Sequence, residues 1–247
     1  MQTKKALILL ASAAACPFFL YADAVVESSD LCKLGRSQSP IAIETRNALP
    51  SELHTPSPEY HPAAVVLWNQ EGKTVQAQFA SSDLLPGPGD NRLWIDGVSF
   101  RLLEFHFHRP GEHPKDGSVP ALELHLVHGD ATGKLAVLAV LIEVDPKGPD
   151  HPAIAELWQW LPAGNDERRL LPRLFDPSSL LPQNRLSYRY PGSLTTGTCA
   201  ETVRWTVFNQ GITISRAQFD KYQKTFPKDH ARPVQPAYGR VPLISLP

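Results

Sequence analysis

The 247-residue chain has a net charge of -1, with 42% hydrophobic and 20% charged residues. That balance suits one large globular domain and excludes both a disordered polyelectrolyte and the basic stripe of a nucleic-acid binder, so no nucleic acid is expected as partner. Beyond the N-terminal segment no apolar run is long enough for a transmembrane span.

Residues 1–24 read as an export signal. Lys4 and Lys5 form its basic start, Ala6 to Leu20 its apolar stretch, and Ala22-Asp23-Ala24 an A-x-A cleavage site, leaving 25–247 as the mature domain. Cys16 could serve as a lipid-attachment cysteine, but Ala13 stands where a larger aliphatic residue is usual. A periplasmic or secreted protein is therefore expected rather than a lipoprotein. The mature chain keeps Cys32 and Cys199, for which a disulfide is the simplest reading in an oxidising compartment and two buried thiols the alternative.

After an irregular lead-in over Val25 to Ser37, the 24 prolines cut the chain into short segments. Strand character appears at Val65–Trp68, Thr74–Phe79, Arg92–Val98, Phe100–His108, Ala121–His128, Leu135–Val144, Ser187–Tyr190 and Thr202–Phe208. The apolar run Lys134 to Glu143 reads as a central strand covered on both faces. Helices are expected at Pro152–Leu161, capped by Asp150, and at Arg216–Thr225, where Ser215 and Gln218 form a capping box. Pro162 to Arg169 looks like an exposed loop. The expected fold class is mostly β (α+β), a single domain with few helices.

Two strand segments carry chemistry. In Phe105-His106-Phe107-His108 and Leu122-Glu123-Leu124-His125, the period of two puts His106 with His108, and Glu123 with His125, on one face, while the Phe and Leu residues point into a core. Side by side, the strands offer three imidazoles to one metal ion and leave a fourth position open, as in hydrolytic zinc sites. Glu123 stands where a carboxylate could orient a ligand on the neighbouring strand, and Glu104 shares the face of His106. His113 and His128 are expected in structural hydrogen bonds, and His54, His61 and His151 at the surface.

Five motifs then carry a resemblance: Gln38-Ser39-Pro40-Ile41, Phe105 to His108 with Pro110-Gly111-Glu112-His113, Glu123 to His128, Tyr190-Pro191-Gly192-Ser193-Leu194-Thr195-Thr196, and Arg232-Pro233-Val234-Gln235-Pro236. In that order they resemble an α-class carbonic anhydrase of the bacterial, exported type. The resemblance implies a large, twisted, mainly antiparallel sheet with a few short peripheral helices, zinc as cofactor held by His106, His108 and His125, and carbon dioxide and bicarbonate as substrate and product. It also implies that Thr195 accepts a hydrogen bond from zinc hydroxide and donates one to Glu112. Val127, Val137, Leu194, Val203 and Trp205, with Thr196, would line the substrate pocket. Cys32 and Cys199 match the family's bacterial disulfide. Whether such an enzyme forms a homodimer is left open.

The chain also departs from that pattern. Gln70-Glu71-Gly72-Lys73 stands where fast members carry a proton-shuttling histidine, so Lys73 occupies the shuttle position. A lysine keeps its proton far above neutral pH and relays poorly. Glu104 replaces a usual Gln, which should hold zinc more tightly and raise the pKa of its water. His230 replaces a usual asparagine. Two competing readings are a cupin-type metal site, with Glu112 as a fourth ligand, and a zinc-binding relative without activity. The first lacks the cupin turn before its last histidine and leaves the Thr195 loop unused. The second typically loses a zinc histidine, and all three are present.

Overall fold

A computed structural model describes residues 31–53, 55–79 and 91–245. The export signal, Cys16 and His54 lie outside them. Among the described residues, thirteen strands join in one mixed sheet: β1 (Leu49–Ser51), β2 (Ser57–Glu59), β3 (Val65–Gln70), β4 (Thr74–Phe79), β5 (Arg92–Ile95), β6 (Val98–His108), β7 (Leu122–Gly129), β8 (Leu135–Asp145), β9 (Arg168–Leu170), β10 (Ser187–Gly192), β11 (Val203–Phe208), β12 (Ile212–Ser215) and β13 (Leu243–Ser245). The main path runs β1-β13-β10-β11-β8-β7-β6-β4-β3-β9. Pairing is antiparallel except for β1 with β13 and for β8 with β11 and β12. Helices α1 (Pro152–Gln159) and α2 (Arg216–Thr225) lie off the sheet.

β7 and β8 are buried on both faces, which is why their sequences are almost continuously apolar apart from the functional side chains. One face packs Phe105, Phe107, Leu124, Leu126 and Leu138 with Trp158 of α1 and Tyr222 of α2. The other packs Val127, Val137, Trp205 and Tyr190.

β6 contributes to both faces through a change of phase. Phe100 and Leu102 point into the first core; opposite β7 the register then shifts between Leu102 and Glu104, leaving Leu103 as an extra, exposed residue. Beyond this bulge, Phe105 and Phe107 take up the core positions, and Glu104, His106 and His108 face the other way.

Some boundaries differ from the sequence expectation. The segment expected as an exposed loop ends in β9, because the free edge of β3 takes up the chain as Trp68, Leu67 and Val66 pair with Arg168, Arg169 and Leu170. The Arg168 guanidinium lies 4.5 Å over the Trp68 ring. Asp150 does not cap α1: its carboxylate accepts from Ser215 Oγ instead, and His151 is the N-cap residue without a side-chain cap. Gln218 of α2, bonded to both the N and the O of His151, does that work from outside. The expected capping box of α2 is present. His61 is exposed, but His151 is half-buried against α2.

His128 shows how tightly this core is set. Its Nδ1 donates to Ala136 O at 3.1 Å and its Nε2 meets the Tyr60 hydroxyl at 2.6 Å, fully buried. Burial lowers its pKa to about 3, against the pull of the Ala136 and Leu126 carbonyls. The unfolded chain therefore takes up this proton first as pH falls, so the stabilisation is complete above about pH 6.5 and is lost on descending toward 3, on the order of 4–5 kcal/mol at most. A His128→Gln variant should show a flatter loss of stability between those limits in denaturant titrations. An unchanged slope would refute the assignment.

Candidate metal centre

The register of β6 on β7 sets His106 opposite His125 and His108 opposite Glu123. His106 Nε2 and His108 Nε2 come within 3.0 Å, and one ligand atom from each of His106, His108 and His125 lies within 4.8 Å of the others. The outer nitrogens of two rings are held by carboxylates. Glu104 Oε1 and Oε2 lie 3.0 and 2.9 Å from His106 Nδ1, and Glu123 Oε1 lies 2.7 Å from His125 Nε2. Glu123 thus pairs with the histidine on its own strand rather than with one on the neighbouring strand, because its side chain turns toward the loop that carries Glu112 and His113. His108 Nδ1 is buried without a hydrogen-bond partner.

Charge follows the same asymmetry. Burial lowers the His106 pKa, but Glu104 outweighs it and the net shift is upward. For His108, burial and the neighbouring His125 and His106 push the pKa well down, so this ring is neutral, as a metal ligand must be.

Behind the trio lies a second group of three, His113, Glu123 and His125, wholly buried. Here every close contact is a hydrogen bond. His113 Nδ1 lies 2.6 Å from Glu123 Oε1, the amides of Glu112 and His113 donate to Oε2 at 2.7 and 2.8 Å, and His113 Nε2 lies 2.6 Å from the Tyr190 hydroxyl. Burial raises the Glu123 pKa, but the His113 and His125 rings more than reverse it and keep the carboxylate ionised.

The trio opens into a cleft of about 400 Å³ lined by Gln70, Lys73, Gln76, Val127, Leu194 and Thr196, among others. Val137 and Trp205 continue the row that Val127 begins across β8 and β11, and Val203 packs beside them, so these three form buried backing rather than cleft surface. Lys73 is exposed on the β3–β4 turn and paired with Glu71. Glu112 is buried 3.3 Å from His108 Nδ1, behind the ring, which removes it from a fourth-ligand role. Its Oε1 accepts from Arg232 N at 2.7 Å and its Oε2 has no partner. Thr195 is half-buried on the β10–β11 loop.

A family model described as eukaryotic-type carbonic anhydrase matches residues 25–243. The chain belongs to the carbonic anhydrase family. It is 34% identical over 218 residues to a carbonic anhydrase of Klebsiella pneumoniae, covering 88% of this chain and 84% of that one. It is 35% identical over 222 residues to one of Nostoc sp., covering 87% and 78%. Among solved structures, the α-carbonic anhydrase of Thermovibrio ammonificans, in complex with sulfanilamide, superimposes with a TM-score of 0.79 at 36% identity over 87% of this chain and 90% of that one.

Sequence reasoning about carbonic anhydrase motifs did not anticipate where His230 sits. Its ring stacks on His108 and lines the cleft. Nothing in the spacing of the motifs signals this, because the contact crosses 122 positions of chain; the pairing of Gln76 with His106 is likewise a matter of strand order.

The β10–β11 loop is fastened to the lead-in. Cys32 and Cys199 form a disulfide. Gln38 Nε2 donates to Cys199 O and Glu201 Oε1, and Arg232 donates to Cys32 O, Ser39 O and Leu194 O. The bridge spans 167 positions, for which chain entropy gives on the order of 4–5 kcal/mol as an upper figure. Reduction, or a Cys199→Ser variant, should lower the thermal midpoint by on the order of 10 °C and reduce activity through the loosened Thr195 loop. Calorimetry with and without reductant, beside an activity assay, checks both.

Proposed function

We propose that this chain is an exported, zinc-dependent carbonic anhydrase that hydrates carbon dioxide reversibly to bicarbonate and a proton. The carrying observation is the convergence of three imidazoles at an open cleft within a carbonic anhydrase fold. Tetrahedral zinc at roughly 2.0–2.1 Å from each nitrogen separates its ligand atoms by about 3.3 Å. The 3.0 Å between His106 Nε2 and His108 Nε2 fits that spacing. So does the donor chemistry: three neutral nitrogen ligands, with no protein carboxylate in the trio. Zinc there supplies a Lewis acid that generates hydroxide from water near neutral pH, the behaviour for which carbonic anhydrases are the standard case.

The surrounding residues do the rest. Glu112, fixed by Arg232 N, keeps one buried acceptor unfilled, and the Thr195 hydroxyl is its natural donor, since Arg232 also binds Leu194 O beside it. A threonine that donates to Glu112 can only accept from the nucleophile, which orients the nucleophile's lone pair toward substrate. Carbon dioxide is small and uncharged, so the apolar wall of Val127 and Leu194 holds it without hydrogen bonds, with Val137, Val203 and Trp205 stiffening that wall from behind. Thr196 lies at the same mouth.

Export is supported by the disulfide and by the signal-like N-terminal sequence. Among the described residues no helix is long and apolar enough to cross a membrane.

Proton export is the weak step, since the turn at the shuttle position presents Lys73, engaged with Glu71. In stopped-flow hydration assays at neutral pH, imidazole buffer should raise turnover severalfold and leave kcat/KM unchanged, and Lys73→His should reduce that dependence. Full turnover in non-imidazole buffer would contradict this, and no hydration by the zinc-loaded protein in any buffer would overturn the enzyme reading. Glu104 puts a full negative charge behind His106. Glu104→Gln should therefore weaken zinc binding by roughly tenfold, measured by chelator competition.

A further inference from the structure

A second cavity lies on the side of β10 and β11 that faces away from the metal centre. Trp205 turns its ring to His125, so its neighbours Arg204 and Thr206 project from the opposite face of β11, and Arg189 of β10 stands directly across from Thr206 in the ladder. With Asp96 of the β5–β6 turn and Arg240, these side chains line a cavity of about 530 Å³, within the range of small-molecule sites. Leu53, Ile95, Val241 and Leu243 make most of the remaining wall apolar.

Charge in this cavity is one-sided. Three guanidinium groups face one carboxylate, and that carboxylate is held at a fixed point, because Asp96 and Gly97 form the two-residue hairpin turn between Ile95 and Val98 with φ of 51° and 77°. From there Asp96 Oδ1 lies 3.0 Å from Arg189 Nη1, but Oδ2 stays 3.9 Å from Arg204 Nη1, beyond hydrogen-bond reach. Arg204 is exposed and makes no hydrogen bond among the described residues. Arg240 donates to the carbonyls of Pro191, Gln38 and Pro236, which fix its position without cancelling its charge. Thr206 is fully buried, and its Oγ1 has no hydrogen-bond partner.

We propose that this cavity is a binding site for a small organic carboxylate with an apolar body. Arg204 takes the carboxylate, Thr206 on the same face of β11 donates to it, and Ile95, Val241 and Leu243 cover the body. A guanidinium fork matches the two oxygens of a carboxylate. An inorganic anion would answer the charge and leave the apolar wall uncovered, and a neutral apolar molecule would do the reverse. The sheet separates this cavity from the histidine trio, so its occupant does not compete for the metal centre, and the site stands whether or not zinc binds there.

Phenylacetate serves as the probe. Titrated into the zinc-loaded mature protein and followed by methyl NMR, it should shift Ile95, Val241 and Leu243 with a Kd on the order of 0.1–1 mM. Benzyl alcohol and inorganic phosphate, each with half of its chemistry, should bind about tenfold more weakly or less. Arg204→Gln should weaken phenylacetate binding roughly tenfold, and Thr206→Val, which keeps the buried shape, roughly three- to tenfold, with melting temperatures no lower than wild type. Shifts confined to Val127 and Leu194 would place the carboxylate in the metal cleft and overturn the proposal. So would still methyls at Ile95, Val241 and Leu243, benzyl alcohol or phosphate binding as tightly as phenylacetate, or wild-type affinity in either variant. The comparison of the three probes uses wild-type protein alone, so it decides even if a variant does not fold.

Discussion

Glu123 is the ion on which the rest of this structure depends. It is fully buried, and a carboxylate withdrawn from water persists only if every lone pair finds a donor. Four donors from three residues converge on it: the rings of His113 and His125 on one oxygen, the amides of Glu112 and His113 on the other. Satisfying that single charge fixes the loop after β6, orients the His125 imidazole, and through His113 and Tyr190 reaches Ser39 in the lead-in. The His125 side of the candidate site and its remote scaffold are therefore one hydrogen-bonded body.

The sheet explains why such a body can be rigid and yet open on one side. Trp205 stands edge-on to His125 and close to His113, with its indole N–H tied to Ser193 O, so apolar packing closes the trio from behind. Toward the β3–β4 turn the cover is polar and looser, with Gln70, Gln76 and the exposed Lys73. The cleft therefore has one dry wall and one wet one.

What could be read from the sequence follows from the range of the interactions. The strands bearing His106, His108 and His125, the central strand and the α2 capping box all depend on period-two alternation or on contacts within four residues, and they stand as expected. β9 and β12 were hidden because three- and four-residue strands take their identity from the edge they join, Val66–Trp68 and Ile142–Asp145. The partner of Glu123 was misassigned because alternation gives the face of a side chain and not its rotamer. His230 was legible only as an oddity of composition, since its meaning comes from a fold that returns residues 227–232 to the end of β6.

The bulge at Leu103 makes the site a matter of counting. Residues on its two sides serve the same core in opposite phase. Because Leu102 pairs with His128 and Glu104 with the adjacent Val127, Leu103 is the residue the ladder leaves over, and its removal would restore regular alternation with Phe105 and Phe107 still in the core and His106 and His108 still toward the cleft. A single-residue deletion at the bulge therefore spares the faces of the site, whereas one at Phe107, where no residue is left over, would turn His108 to the opposite face of the sheet.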